Sequence, residues 1–217
     1  MLTLAEMMFL LSIDDVNGTT ASGIYGELYY GLAGSILADL VIAGKLAIQD
    51  NHIMVADGSP VQDDLLDEIL AKIASAKKPH RASHWVSVLP SKNLPTRIAD
   101  RLVAHNILHL EEKRYLWVIP IKAIKQQDAT AKYRLKEHLR AVVLAGDKPE
   151  PQDIALLSLL KSCSLLKMVF TKDERRWAQK KIEALTTGEI FGPAVTEVLL
   201  GIEAAMITVA SAVAASD

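Results

Sequence analysis

Apolar positions in this chain recur mainly at helical spacing, interrupted by two segments that each read as a pair of short strands. Thr3 and Glu6 form a capping box, with Leu2 and Met7 as the flanking hydrophobic staple. They predict a helix from about Leu4 to Ser12. Asp14 to Gly23, rich in Asp, Asn, Gly, Thr and Ser, predicts a loop. Further on, Asp63 to Ala74 predicts a helix with acids at its start and Leu65, Leu66, Ile69, Leu70 and Ile73 inward. After residue 120 the pattern is helical to the end, with helices expected at about 128–145, 151–169, 171–186 and 193–215.

One pattern occurs twice. Ile36, Leu40, Val41, Gly44, Leu46 and Ile48 match Ile98, Leu102, Val103, Asn106, Leu108 and Leu110 at a constant offset of 62. In each copy an apolar helix face ends at a Gly or Asn, the residues that favour a left-handed C-cap. A short strand follows, then four polar residues (Gln49 to His52; Glu111 to Arg114), then a second strand (Ile53 to Val55; Tyr115 to Ile119). Helix, cap, strand, polar turn and strand outline a winged-helix unit. The expected architecture is mostly α: one compact helical domain over 1–217. It comprises a first helix–hairpin unit (1–57), a second (63–120) and a helical part (128–217).

Composition supports helix on helix. Half the residues are apolar, and only 5% are aromatic. The single cysteine excludes an internal disulfide framework and fits a reducing compartment. The N-terminus has no basic leader and does not read as a secretory signal. In the most apolar stretch, Val198 to Ser216, Glu203 leaves an uncharged remainder too short to span a bilayer. The expectation is a cytoplasmic protein whose membrane contact is peripheral.

Charge changes the picture more. Residues 1–76 carry 2 Lys/Arg against 11 Asp/Glu, residues 77–145 carry 14 against 5, and residues 146–217 carry 8 against 10. The near-neutral total hides two opposed blocks. Either they neutralise each other inside the fold, or the central one offers a basic surface to phosphate groups. Lys77, Lys78 and Arg81 flank Pro79 in an expected loop. Lys92 and Arg97 flank the start of the second repeat's helix, with Arg101 one turn beyond. Lys113 and Arg114 fall in the expected turn of the second hairpin. The following strand, with Tyr115, Trp117, Val118 and Ile119, is apolar on both faces. It is either buried in the domain or meets a second copy or a bilayer.

Catalytic constellations are not found. The sequence has no nucleophile elbow, phosphate-binding glycine loop or dinucleotide fingerprint. Cys163, on an apolar helix, reads as a small core residue. Asp64, Asp67 and Glu68 read as acids at a helix N-terminus rather than a cation site. In Asp14-Asp15-Val16-Asn17-Gly18 the glycine has the wrong offset for a calcium loop. The pairs His80/His84 and His105/His109 lack partners at zinc spacing. No enzyme, metal or cofactor is expected.

Several segments, in order, resemble the Golgi phosphoprotein 3 family. They are Leu2 to Glu6, Gly31-Leu32-Ala33-Gly34 with Leu40 and Gly44-Lys45-Leu46, Pro60 with Asp63, Leu65 to Glu68 with Leu70, Trp85, and Arg97-Ile98-Ala99 leading to Leu102-Val103 and Leu108. The resemblance implies a helical, non-enzymatic adaptor that binds phosphatidylinositol 4-phosphate and holds client protein tails. It also implies a hairpin, here 108–120, for membrane contact and self-association. The family's headgroup positions fall here at Ile24 (with Tyr25 adjacent), Ala33, Lys92 and Pro95, so of these only Lys92 carries a charge. The expected headgroup-binding residues are Lys92 and Arg97, supported by Arg81, Arg101 and Tyr25. The expected membrane or oligomer hairpin residues are Lys113, Arg114, Tyr115, Trp117 and Ile119. The expected partners are anionic lipid headgroups such as phosphoinositide, a client tail and a second copy of the chain. Two other readings stand beside this one: a winged-helix nucleic-acid binder and a protein-interaction module. Asp39 and Asp100 on the candidate reading helices disfavour the first.

Overall fold

A computed structural model describes residues 1–14, 25–50, 52–90, 93–115, 119–126 and 129–187, with 196, 199–201, 203 and 204. Side chains at 25–27 and 110–129 lie outside this description. The element order is α1 (Leu4–Ser12), α2 (Tyr25–Ile42), β1 (Leu46–Gln49), β2 (His52–Val55), α3 (Asp64–Ala74), α4 (Ala82–Val88) and α5 (Leu94–Ala104). It continues with β3 (Leu108–Tyr115), β4 (Ile119–Gln126), α6 (Ala129–Arg140), α7 (Pro151–Ser162) and α8 (Lys172–Thr186). The mostly helical expectation is met.

Three helices form the centre. Along α1 every residue except Met7 is buried, α2 buries Leu28, Leu32, Ala33 and Ser35 to Ala38, and α7 buries Asp153 to Leu160 without interruption. Helices buried around most of their circumference carry no clear polar stripe. Gly31 marks how closely they pack: a Cβ there would lie 2.3 Å from Met8 Cε and 2.6 Å from Cys163 Sγ. Cys163 is fully buried at this contact and belongs to the core, as its sequence setting suggested. The amphipathic helices α3, α5 and α8 cover the centre.

Local chemistry sets the boundaries. Thr3 and Glu6 close the expected capping box, with N–H···O distances of 3.2 and 2.9 Å. Asp63 caps α3 by accepting from the backbone N–H groups of Leu65 and Leu66. The five apolar residues assigned inward on α3 are all buried. Thr171 and Glu174 cap α8, and Arg140 of α6 binds Glu174 through two N–H···O contacts of 2.7 Å.

The repeat is present in the backbone itself. Gly44 and Asn106 both adopt left-handed φ, at 70° and 57°. Lys45 N–H donates to Leu40 C=O at 2.8 Å, and Ile107 N–H donates to Leu102 C=O at 2.9 Å. Each helix thus ends in the same Schellman closure and feeds an antiparallel hairpin.

Three boundaries differ from expectation. The second hairpin is longer than its polar run suggested: Glu111 to Arg114 belong to β3, and the register runs from Leu108↔Gln126 to Tyr115↔Ile119. Lys113 and Arg114 are therefore strand residues rather than turn residues, because backbone pairing tolerates polar side chains. Tyr115 ends β3, Ile119 begins β4, and Trp117 lies between them, outside the described residues. The helix expected over 151–169 stops at Ser162, where Ser164 takes φ 57° and Leu165 N–H closes onto Leu160 C=O at 2.8 Å. A short 3₁₀ turn, Leu166–Met168, follows. The helix expected over 128–145 ends in a π-helical turn, Ala141–Ala145. Nearly all of the loop expected at Asp14 to Gly23, and much of the helix expected at 193–215, lie outside the described residues.

The two caps give a paired test. Nothing lies within 4 Å of a Cβ added at Gly44, so Gly44→Ala carries only the left-handed backbone penalty. It is expected to lower stability by about 1 kcal/mol, while Asn106→Gly is neutral or slightly stabilising. Urea unfolding of both variants measures the difference.

Candidate functional site

The opposed charge blocks meet where α5 lies against α1 and the start of α3. The Arg101 guanidinium contacts Glu6 of α1 at 2.9 Å, Asp64 of α3 at 2.5 Å, and both carboxylate oxygens of the α3 cap Asp63. Glu6 is almost fully buried, Arg101 and Asp63 are partly buried and Asp64 is exposed, so the cluster runs from the interior to the surface. Burial opposes the charge on Arg101, but hydrogen bonds to Asp63 and Glu6 raise its pKa above the ordinary value. Burial likewise pushes the Asp63 carboxyl up; Arg101 and the Leu66 and Leu65 N–H groups outweigh it and hold the group below its usual range. Arg97, one turn earlier, binds Glu68 at 2.8 Å and lies 3.9 Å from Asp64.

These contacts involve two of the expected headgroup residues. Arg101 binds three carboxylates. Arg97 is paired too, although over a third of its side chain stays exposed. Both residues sit in the central block, and its acidic partners come from the first 76 residues, so neutralisation inside the fold holds at this point.

Asp39, on α2, accepts from Leu4 N–H at 2.9 Å. Its carboxyl is pushed up to about 7, first by burial and then by the nearby Asp63 and Glu6 charges, against hydrogen bonds from Leu4 and Ala5 N–H groups.

The other candidate residues are placed as follows. Arg81 is the exposed residue before α4. With Lys77 and Lys78 it forms a basic turn between α3 and α4, and among the described residues these three cations make no ion pair. Tyr25 opens α2, with its side chain outside the description. Lys92, Trp117 and Ile24 lie outside the described residues. Ala33 is buried in α2, and Pro95 occupies the first turn of α5. Of the five expected headgroup residues, the side chains of Arg81, Arg97 and Arg101 are among those described, and the last two face carboxylates.

The structure brings together others. The His80 and His84 rings stack with centroids 3.9 Å apart, and each meets Trp85 edge to face, at 5.8 and 5.4 Å. The i,i+4 spacing of the two histidines was visible in the sequence. Their union with the basic turn was not, because α4 has only seven residues and no side-chain cap. Among the described residues, no group of three or more His, Cys, Asp or Glu is arranged to hold a metal ion.

A helical domain with two helix–hairpin units and a basic turn is the class this arrangement defines. Residues 4–201 match the family described as Golgi phosphoprotein 3 (GPP34), and the chain belongs to that family.

Two substitutions test the cluster. Arg101→Met leaves Glu6 buried without its partner and is expected to destabilise the fold by on the order of 3 kcal/mol in urea unfolding. Asp39→Asn removes a carboxyl whose folded pKa exceeds its unfolded value. Such a group favours the folded state below its unfolded pKa of 3.8 and loses that contribution as pH rises through about 7. Asp39→Asn is therefore expected to exceed the parent in stability at pH 8, by up to about 4 kcal/mol, and to match it near pH 4. Thermal unfolding across pH measures the convergence.

Proposed function

We propose that this protein is a non-enzymatic peripheral adaptor that docks on anionic lipid surfaces through the basic turn at 77–81. The observation that carries this reading is the division among the central cations: Arg97 and Arg101 are consumed by carboxylates, whereas Lys77, Lys78 and Arg81 are exposed and unpaired among the described residues. Membership of the Golgi phosphoprotein 3 family supports it. No helix among the described residues is long and apolar enough to cross a membrane, which suits attachment from outside the bilayer. Each Lys or Arg near an anionic surface contributes about 1 kcal/mol, so three give reversible, salt-sensitive attachment. On this reading Lys92 and the β3–β4 hairpin add to the contact, the hairpin serves self-association, and a client tail is the protein partner.

The nucleic-acid reading is weaker. The helix that would enter a groove in the second unit is α5, and its two arginines are occupied by Glu6, Asp63, Asp64 and Glu68.

Vesicle co-sedimentation tests the proposal. The protein is expected to pellet with phosphatidylcholine vesicles only when they contain phosphatidylglycerol. A Lys77→Gln/Lys78→Gln/Arg81→Gln variant is expected to bind about 100-fold more weakly. Equal binding to neutral vesicles, or an unaffected variant, overturns it.

A further inference from the structure

Three of the six histidines gather beside the basic turn. His80, just before α4, and His84, on α4, stack with ring centroids 3.9 Å apart and planes 16° apart. His52 approaches from β2, where Ile53 N–H donates to His80 C=O at 2.8 Å and holds the strand against the turn. The His52 ring is itself fixed, with Nδ1 2.7 Å from Asp50 C=O. A carbonyl only accepts, so the proton of the neutral ring sits on Nδ1 and Nε2 is left to take a second one.

Among the described residues these three rings make no ion pair. Burial, and then the charges of His84, Lys78 and His52, push the His80 pKa below the ordinary value. The cleft between the end of α3 and α4 brings Lys72 and Lys77 to the same rim as His80 and His84, and no carboxylate lines it. Arg81 follows His80 directly in the chain. His105 and His138 differ: they lie 3.7 Å from Glu6 and 2.8 Å from Asp153. A carboxylate favours a nearby imidazolium, whereas the rings beside the turn gain protons against neighbouring cations. Two stacked imidazolium rings repel each other, so the observed stack belongs to a state in which at least one ring is neutral.

We propose that His52, His80 and His84 are a proton-operated control on docking at the basic turn. With the rings neutral, the positive charge there is that of Lys77, Lys78 and Arg81, with Lys72 beside them. Each proton taken by a ring adds one charge beside the turn, and an anionic surface is then held more tightly. Imidazole is the side chain that ordinarily changes charge between pH 5 and 8. The negative potential of the surface offsets the repulsion among the rings and lysines, so docking favours the protonated rings. Linkage makes the two effects reciprocal: docking that tightens on protonation takes up protons as it occurs. The inference rests on the docking reading and supplies its regulation.

Co-sedimentation with vesicles of phosphatidylcholine and phosphatidylglycerol tests the control, because the phosphodiester stays charged from pH 8 to pH 5.5. Binding is expected to tighten at least about tenfold over that range, at about fivefold for each charge gained. The His52→Gln/His80→Gln/His84→Gln variant, checked for folding by circular dichroism, is expected to match the parent at pH 8 and to lose most of the tightening. It keeps every carboxylate, so protonation of Asp39 over the same range is common to both proteins. His84→Gln alone reads the pair from within. With one repelling neighbour removed, the His80 imidazole ¹H resonances, assigned by His80→Gln, are expected to titrate at higher pH than in the parent.

Calorimetry at pH 6.5 in two buffers of different ionisation enthalpy counts the protons. Docking of the parent is expected to take them up, and docking of the triple variant to take up fewer. Equal binding at pH 8 and pH 5.5, full tightening in the triple variant, or no proton uptake overturns the control and leaves docking standing. Equal tightening on vesicles of phosphatidylcholine alone also overturns it, because the protons then act on something other than anionic attraction. Absence of binding at both pH values overturns the docking reading and the control with it.

Discussion

The Arg101 guanidinium is the interaction on which the assembly depends. It is the meeting point of three elements from distant parts of the chain: Glu6 on α1, the Asp63 cap with Asp64 on α3, and α5 itself. Asp63 also accepts the first backbone N–H groups of α3, so one carboxylate both starts a helix and anchors another. Glu6 completes the capping box of α1 while it receives Arg101. Local capping and long-range ion pairing therefore share the same carboxylates. A carboxylate this buried is tolerable only with a fixed cation and hydrogen bonds at hand. Asp39, which feels the charges of Asp63 and Glu6 and makes no ion pair among the described residues, shows the alternative: its carboxyl is driven toward the neutral form.

Around this cluster the architecture repeats. Gly44 and Asn106 end their helices with the same pair of backbone hydrogen bonds, and each releases the chain into a hairpin. The two hairpins then diverge: four residues per strand in the first, eight in the second. The identical cap fixes where each hairpin begins, and the pairing beyond it determines how far each extends. The central helices α1, α2 and α7 give both units a common apolar surface, approached so closely at Gly31 that no larger side chain fits without displacing Met8 or Cys163.

The ion cluster also sets the surface charge. It pairs Arg97 and Arg101 of α5 with carboxylates, whereas among the described residues Lys77, Lys78 and Arg81 of the turn between α3 and α4 are exposed and unpaired. That turn is short and held by its neighbours: Ile53 N–H of β2 donates to His80 C=O at 2.8 Å, and Trp85 of α4 is buried beneath it. Its cations are thus presented by a scaffold anchored on both sides.

Much was legible from residue order alone. The capping box at Thr3, the inward face of α3, the left-handed caps at Gly44 and Asn106 and the core character of Cys163 all follow from interactions within a few residues, or from a periodicity that one helix or strand repeats. The two charge blocks were countable as well. What the count could not supply was which carboxylate meets which guanidinium, because Glu6 and Arg101 are separated by most of two units and meet only when α1 packs on α5. The same reason hid the cleft: Trp85, Lys77 and His84 sit on a short, uncapped helix and the turn before it, where neither propensity nor period carries a signal. Polar residues Glu111 to Arg114 resembled a turn, whereas backbone pairing places them in β3. Sequence determined the local closures and the apolar faces; tertiary packing decided which charges neutralise each other and which remain exposed.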